Sequence, residues 1–208
     1  QVPVNNLNFG YGAADEVRRK VLTLWNTYSF FVTYARLDEF DPMSELDEST
    51  LTELDKWILA RLNQLVGQSR RDYDTFQADK LMHKINRFVD ELSNWYVRRS
   101  RRRFWKSEND TDKWAAYHTL YQALVTLTKL LAPISPFFTE SMYQNLVVTL
   151  DPDAPQSIHL TSFPEVDERW LDDELLRRVA VVIKTVEMGR AARNKANLKV
   201  RQPLATIS

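Results

Sequence analysis

The chain has 208 residues, 28 Lys and Arg against 28 Asp and Glu, 44% hydrophobic residues and no cysteine. That profile is too apolar for a disordered protein, and it excludes disulfides, thiolate zinc sites and cysteine nucleophiles. Four glycines and eight prolines supply little turn chemistry for an all-β fold, and no apolar run approaches the roughly 20 residues that span a bilayer, so a soluble, helical, cytoplasmic protein is expected.

In chain order, the apolar residues recur at helical spacing. Val17, Val21, Leu24, Tyr28, Phe31 and Ala35 make one stripe on a first helix that starts near Ala13. After an acidic loop, Thr50 and Glu53 have capping-box spacing and open a second helix carrying Leu51, Leu54, Ile58, Leu62 and Leu65. A break near Asp74 precedes a third stripe, Leu81, Ile85, Phe88, Leu92 and Tyr96. The fourth, Trp114, Tyr117, Tyr121, Leu124 and Leu131, stops before Pro133; Ser135 and Pro136 then make an N-cap and first-turn pair for a short helix. SIHLTSF in the following loop suggests one brief extended segment, and a last helix is expected over about residues 172–195. LKVRQPLATIS alternates like a strand whose partners lie outside the sequence.

Each stripe needs another helix to bury it. The expected fold is therefore all-α, a bundle of about five helices over residues 1–197 with a short extended segment at the C-terminal end, residues 198–208 being the start of a truncated following region. Trp25 and Trp57 are expected in its core.

Neutral net charge hides segregation. Residues 37–55 hold eight acids and no base, residues 95–106 six bases and no acid, and the chain after Met188 five bases and no acid. Such poles act through the local field. Helical steps from Leu92 and Tyr96 lead to Arg99 and Arg103, which brings cations to the core side, where unpaired guanidinium groups are prohibitive. Either these arginines pair with the acids of residues 37–55 and with Glu91, Glu108 and Asp110, or they meet an anionic partner. They surround nearly the whole helix, and Phe104 and Trp105 follow at once, which is the basic-plus-aromatic pattern of single-stranded nucleic-acid binding.

On that reading Arg98, Arg99, Arg101, Arg102, Arg103 and Trp105 are candidate RNA contacts. A second candidate pole comprises Arg190, Arg193, Lys195, Lys199 and Arg201; the helix dipole accounts for Arg193 and Lys195 but not for Lys199 and Arg201. His83, His118 and His159 have no metal-ligand spacing, there is no phosphate-cradling glycine loop, and no catalytic constellation is evident. No catalytic or metal-binding residue is assigned.

The strings DKWILARLNQLV, FVDELSNWYVRRSRRRFW, AYHTLYQALVTLTKLLAPISPFFTESMYQNL, SIHLTSFP and GRAARNKANLKVRQPL, in this order, resemble the anticodon-binding region of isoleucyl-tRNA synthetases. VRRKVLTLWNTYSFFVTYA resembles the first helix of that region. LAPISPFFTE is shared with valyl and leucyl enzymes, whereas NWYVRRSRRRFW with SIHLTSFP points to isoleucine. The resemblance implies a part of an ATP- and magnesium-dependent ligase that docks the anticodon stem-loop of isoleucine-accepting tRNA. The HIGH and KMSKS motifs of the catalytic domain do not occur, so a fragment without cofactors of its own is expected, acting as a monomer beside the remaining domains of its parent. By analogy with the methionyl group, Asn26 in LWNTYSFF and Trp105 are the positions implied to face the anticodon. Some anticodon contacts in the isoleucyl family come from a region following KVRQPL, so weak or unselective tRNA binding is expected. The alternatives are the same region of a valyl or leucyl enzyme, and a helical protein-interaction module.

Overall fold

The computed structural model describes residues 10–106 and 110–203. The chain divides into two compact units, the first ending at Leu171 and the second beginning at Asp172.

The first unit contains α1 (Tyr11–Leu37), α2 (Glu53–Asp74), α3 (Ala78–Glu91), α4 (Arg98–Trp105), α5 (Thr111–Leu131) and α6 (Pro136–Tyr143). α3 runs into α4 through a wide π-helical turn, Leu92–Val97, and α6 continues into a second, Gln144–Val148. No strand occurs among the described residues, and the all-α bundle expected from periodicity is what forms.

α5 is the central helix. Ala115, Ala116, Tyr117, Leu120, Ala123, Leu124 and Leu127 are buried on several of its faces, because α1, α2, α4 and α6 all pack against it. Trp57, Ile58, Leu62 and Leu65 of α2 and Leu81, Ile85 and Phe88 of α3 complete the interior, each apolar side chain contributing roughly 1.5 to 3 kcal/mol when fully buried. On α1 the expected stripe splits: Leu24, Tyr28, Phe31 and Ala35 are buried, while Val17 and Val21 are exposed. Trp25 differs too, being partly exposed and tilted against Tyr28 and Phe138.

The start of α2 lies two residues later than its spacing suggested. Thr52 and Asp55 form the capping box: Thr52 Oγ1 accepts from the Asp55 amide at 3.3 Å and Asp55 Oδ2 accepts from the Thr52 amide at 2.8 Å. Thr50 instead ends the 3₁₀ turn Glu48–Thr50, its hydroxyl donating to the Asp47 carbonyl at 2.6 Å. SIHLTSF is no strand either; Ile158–Leu160 is a 3₁₀ turn that buries Ile158 beside Ala132 and Tyr143.

With few glycines, three helices close on left-handed residues of other kinds: Glu39, Phe76 and Asn197 have φ of 53°, 56° and 53°. After α2, Phe76 N–H donates to the Tyr73 carbonyl at 3.1 Å and Gln77 N–H to the Asp72 carbonyl at 2.7 Å, the double bond of a Schellman ending in which glycine is the usual occupant.

The second unit holds α7 (Asp173–Lys195), capped by Asp172 Oδ1, which accepts from Leu175 N–H at 2.8 Å. The extended segment expected at the C-terminal end is a turn over residues 198–203. There the Arg193 Nη1 donates to the carbonyls of Lys199 and Gln202 at 2.9 and 2.8 Å, folding the tail back on its helix, and residues 204–208 lie outside the described ones.

Candidate nucleic-acid interface

The π turn decides which way the arginines point. It inserts an extra residue into one helical turn, so the buried stripe runs Leu92, Tyr96, Ser100, Phe104 and not Leu92, Tyr96, Arg99, Arg103. Phe104 is sealed edge-on against Tyr117 and Phe30, with centroids 4.9 and 5.2 Å away. The core side of the helix is therefore a small hydroxyl and an aromatic ring, and the cations rotate outward.

Arg98, Arg99, Arg101 and Arg102 are exposed, and none of the four forms an ion pair with a described acid. Two of them sit over indoles one helical turn away: Arg99 is 4.7 Å from the Trp95 ring centroid and Arg101 is 6.0 Å from that of Trp105. Each is a cation–π pair, in which the guanidinium keeps its outer N–H groups free. Trp105 is 55% exposed. One face of a short helix thus offers four forked donors and a planar ring to solvent.

Arg103 is the exception, and the reading of it as a free RNA contact is corrected. Its Nη1 and Nη2 donate to Asp55 Oδ1 and Oδ2 at 2.7 and 2.9 Å, and Nη2 also reaches the Asp112 carbonyl at 2.9 Å. The Nε lies 2.7 Å from Asp112 Oδ1, an ion pair with poor hydrogen-bond geometry. The side chain is 12% exposed and Asp55 is fully buried. The extra residue of the π turn rotates Arg103 to the flank of the core, where a buried carboxylate is waiting; a planar fork matches it with both nitrogens. The pairing of arginines with the acidic segment therefore holds for one of the five.

Asp55 gathers donors from three elements. Besides Arg103 it accepts the Thr52 hydroxyl at 2.6 Å, the Thr52 amide at 2.8 Å and the Tyr96 hydroxyl at 2.6 Å. Burial pushes its carboxyl up, yet the hydrogen bonds from Arg103, Thr52 and Tyr96 outweigh that and hold it below the ordinary aspartate value. Burial and the neighbouring carboxylate push the Tyr96 phenol well above the usual tyrosine range.

A second charged contact closes the far end of α4. Lys113 Nζ donates to the Lys106 carbonyl at 2.9 Å and pairs with Asp38 at 2.7 Å, while Asp38 also accepts the Tyr117 hydroxyl. Lys106 itself bridges Asp110 and Asp112 on the surface. Glu91, expected among the partners of the cluster, pairs with Arg61 and Arg87 instead, and Glu108 lies outside the described residues.

Asn26 is exposed on α1, one turn before Phe30, whose ring meets Phe104. In the second unit Arg190, Lys195, Lys199 and Arg201 are exposed, whereas Arg193 is engaged with its own tail. Among the described residues no group of three or more His, Cys, Asp or Glu side chains is arranged to hold a metal ion. Sequence reasoning named Asp55 only as the last of the eight acids of residues 37–55, and it missed Trp95 and Lys113. For Lys113 a signal existed: a lysine in the first turn of a helix opposes the dipole and needs a compensating reason to be there.

Residues 55–208 match the family described as the anticodon-binding domain of tRNA ligase. The chain belongs to that family. Its relatives include isoleucine–tRNA ligases. That of Dehalococcoides mccartyi is 52% identical over 206 residues, that of Clostridium novyi 49% over 193 and that of Thermus thermophilus 43% over 207. These alignments take in 99%, 92% and 99% of this chain, but only 20%, 19% and 20% of the relatives. The chain spans about a fifth of their length. As for the membrane, no described helix is long and apolar enough to cross one.

Proposed function

We propose that this chain is the anticodon-docking part of a cytoplasmic isoleucine–tRNA ligase and binds the anticodon stem-loop of isoleucine-accepting tRNA. The observation that carries it is the outward face of α4, where four guanidinium groups without a described acid partner lie beside an exposed indole. Forked donors hold phosphates and set orientation; a flat ring stacks on an unpaired base; contacts to base edges set identity. Asn26 supplies such an edge contact, and Arg190, Lys195, Lys199 and Arg201, exposed on the second unit, are phosphate contacts in their own right.

Attachment of isoleucine, with ATP and magnesium, is the work of the catalytic portion of the parent. In this reading the chain acts as one copy alongside those other domains. Relatives named isoleucine–tRNA ligases favour it over the valyl, leucyl and protein-interaction alternatives.

Fluorescence titration with tRNAs of several identities at two salt concentrations tests it. Replacing Arg99, Arg101 and Arg102 by alanine should weaken binding to every tRNA and flatten the dependence of log affinity on log salt by about 0.7 to 0.9 per lost phosphate contact. An unaltered slope would remove α4 from the interface.

A further inference from the structure

The geometry points to Asp55 as a positioning residue for RNA binding: through Arg103 it locks the outer end of α4, so that Trp105 and the four exposed arginines are in place before RNA arrives. This rests on the reading of α4 as an RNA-docking helix.

α4 is the eight-residue end of a helix that runs on from α3 through the π turn, and its outer end, with no further turn beyond Trp105, is where such a helix frays. Its cations also repel one another: Arg98 with Arg101 and Arg102, and Arg99 with Arg102 and Arg103, are neighbours on the helix surface at spacings of three and four. A face built for a polyanion is thus internally unfavourable until the anion comes. Something must hold it, and two clamps do. Asp55 grips Arg103 with both oxygens, and Lys113 grips the carbonyl of Lys106. Trp105 stands between the two gripped residues, so its backbone is fixed from both sides although its indole faces water.

Capping of α2 does not account for this arrangement. Thr52 and the carboxylate suffice for a capping box, which works at a solvated helix start. Here the carboxylate is fully buried and also takes donors from the π turn and from α4. Nor does stability explain it, since a buried ion pair is often no better than an apolar contact of the same shape. What a bidentate pair supplies is direction: the guanidinium plane is fixed, and α4 with it.

The test compares Asp55→Asn, Arg103→Lys and Thr52→Ala in this chain, reading tRNA affinity at two salt concentrations, the urea unfolding midpoint and amide exchange over residues 98–106. Loss of preorganisation should weaken tRNA binding by at least about fivefold in Asp55→Asn and Arg103→Lys. The salt slope should not change, because no phosphate ligand has been removed, and exchange over residues 98–106 should quicken. Thr52→Ala should lower the midpoint and leave affinity as it was. Arg103→Lys keeps the charge but loses the fork, so retention of full affinity in that variant would overturn the proposal. Should Asp55→Asn not fold, Arg103→Lys still decides the matter. Failure of the α4 reading itself looks different: Arg99→Ala would then leave both affinity and slope untouched.

Discussion

Lys113, in the first turn of α5, donates from a fully buried ammonium to the main-chain carbonyl of Lys106, 2.9 Å away. Its second partner, Asp38, terminates α1, so one cation ties the ends of α1 and α4 to the start of α5. Lys113→Met would strand the Asp38 carboxylate and leave the carbonyl at the end of α4 unpaired. The expected loss is about 3 kcal/mol in urea denaturation, as for other broken buried pairs. Adding Asp38→Asn should restore part of it, since Tyr117 can still donate to the amide oxygen and no lone charge remains.

Phe104 and Trp105 are neighbours with opposite environments, and alanine should separate their roles. Phe104→Ala empties a site between Tyr117 and Phe30 and should cost about 3 to 5 kcal/mol of stability. Trp105→Ala should barely move the unfolding midpoint, yet lower tRNA affinity by about 1 to 3 kcal/mol if the indole stacks on a base. A collapse in stability for Trp105→Ala would remove it from the proposed interface.

Stability should fall off at both ends of the pH range through one network. The folded-state value of Asp55 lies below the ordinary 3.8, so its contribution is complete above that pH and is lost as pH drops through the lowered value. Asp55→Asn should therefore flatten the acid limb of a stability–pH curve. Tyr96 behaves oppositely: its folded-state value is well above 10.0, so its contribution is complete below pH 10.0 and lost as pH rises. Tyr96→Phe should flatten the alkaline limb.

Phe76 carries its exposed ring on a left-handed backbone at the end of α2. That conformation costs a side-chain-bearing residue roughly 1 to 2 kcal/mol, and little is buried in return. Phe76→Gly should stabilise the first unit by about 0.5 to 1 kcal/mol after the added freedom of the unfolded glycine is counted. A thermal melt reads it directly.

Long apolar stripes were legible from sequence because a period of 3.6 persists over several turns. Leu81, Ile85, Phe88, Leu92 and Tyr96 all lie inside as their spacing required, and the break at Asp74 falls where α2 ends. The capping box was displaced because Thr50 with Glu53 and Thr52 with Asp55 both satisfy the pattern; only three dimensions show that Asp55 must also meet Tyr96 and Arg103. The arginine helix was read one residue out of phase, since a single wide turn leaves no trace in composition. Basic and aromatic character still marked the right segment, because that signal depends on residue types and not on rotation. Asp55 stood out from the other acids of residues 37–55 only in three dimensions, for the same reason that it matters: its partners lie 41 and 48 residues away along the chain.

The wide turn at Leu92–Val97 makes chain length at that point an azimuth setting. Taking one residue out there would let the wide turn close to a regular one and leave Ser100 and Phe104 facing inward. Straightening it at unchanged length would instead turn everything beyond it by about 100°, the angle one residue occupies in a regular helix. Arg99 and Arg103 would then swing into hydrocarbon, and Ser100 and Phe104 out into water. Among variants of this segment, single-residue insertions, which demand a further bulge or turn the entire cationic face at once, should be far less tolerated than most substitutions at the same positions.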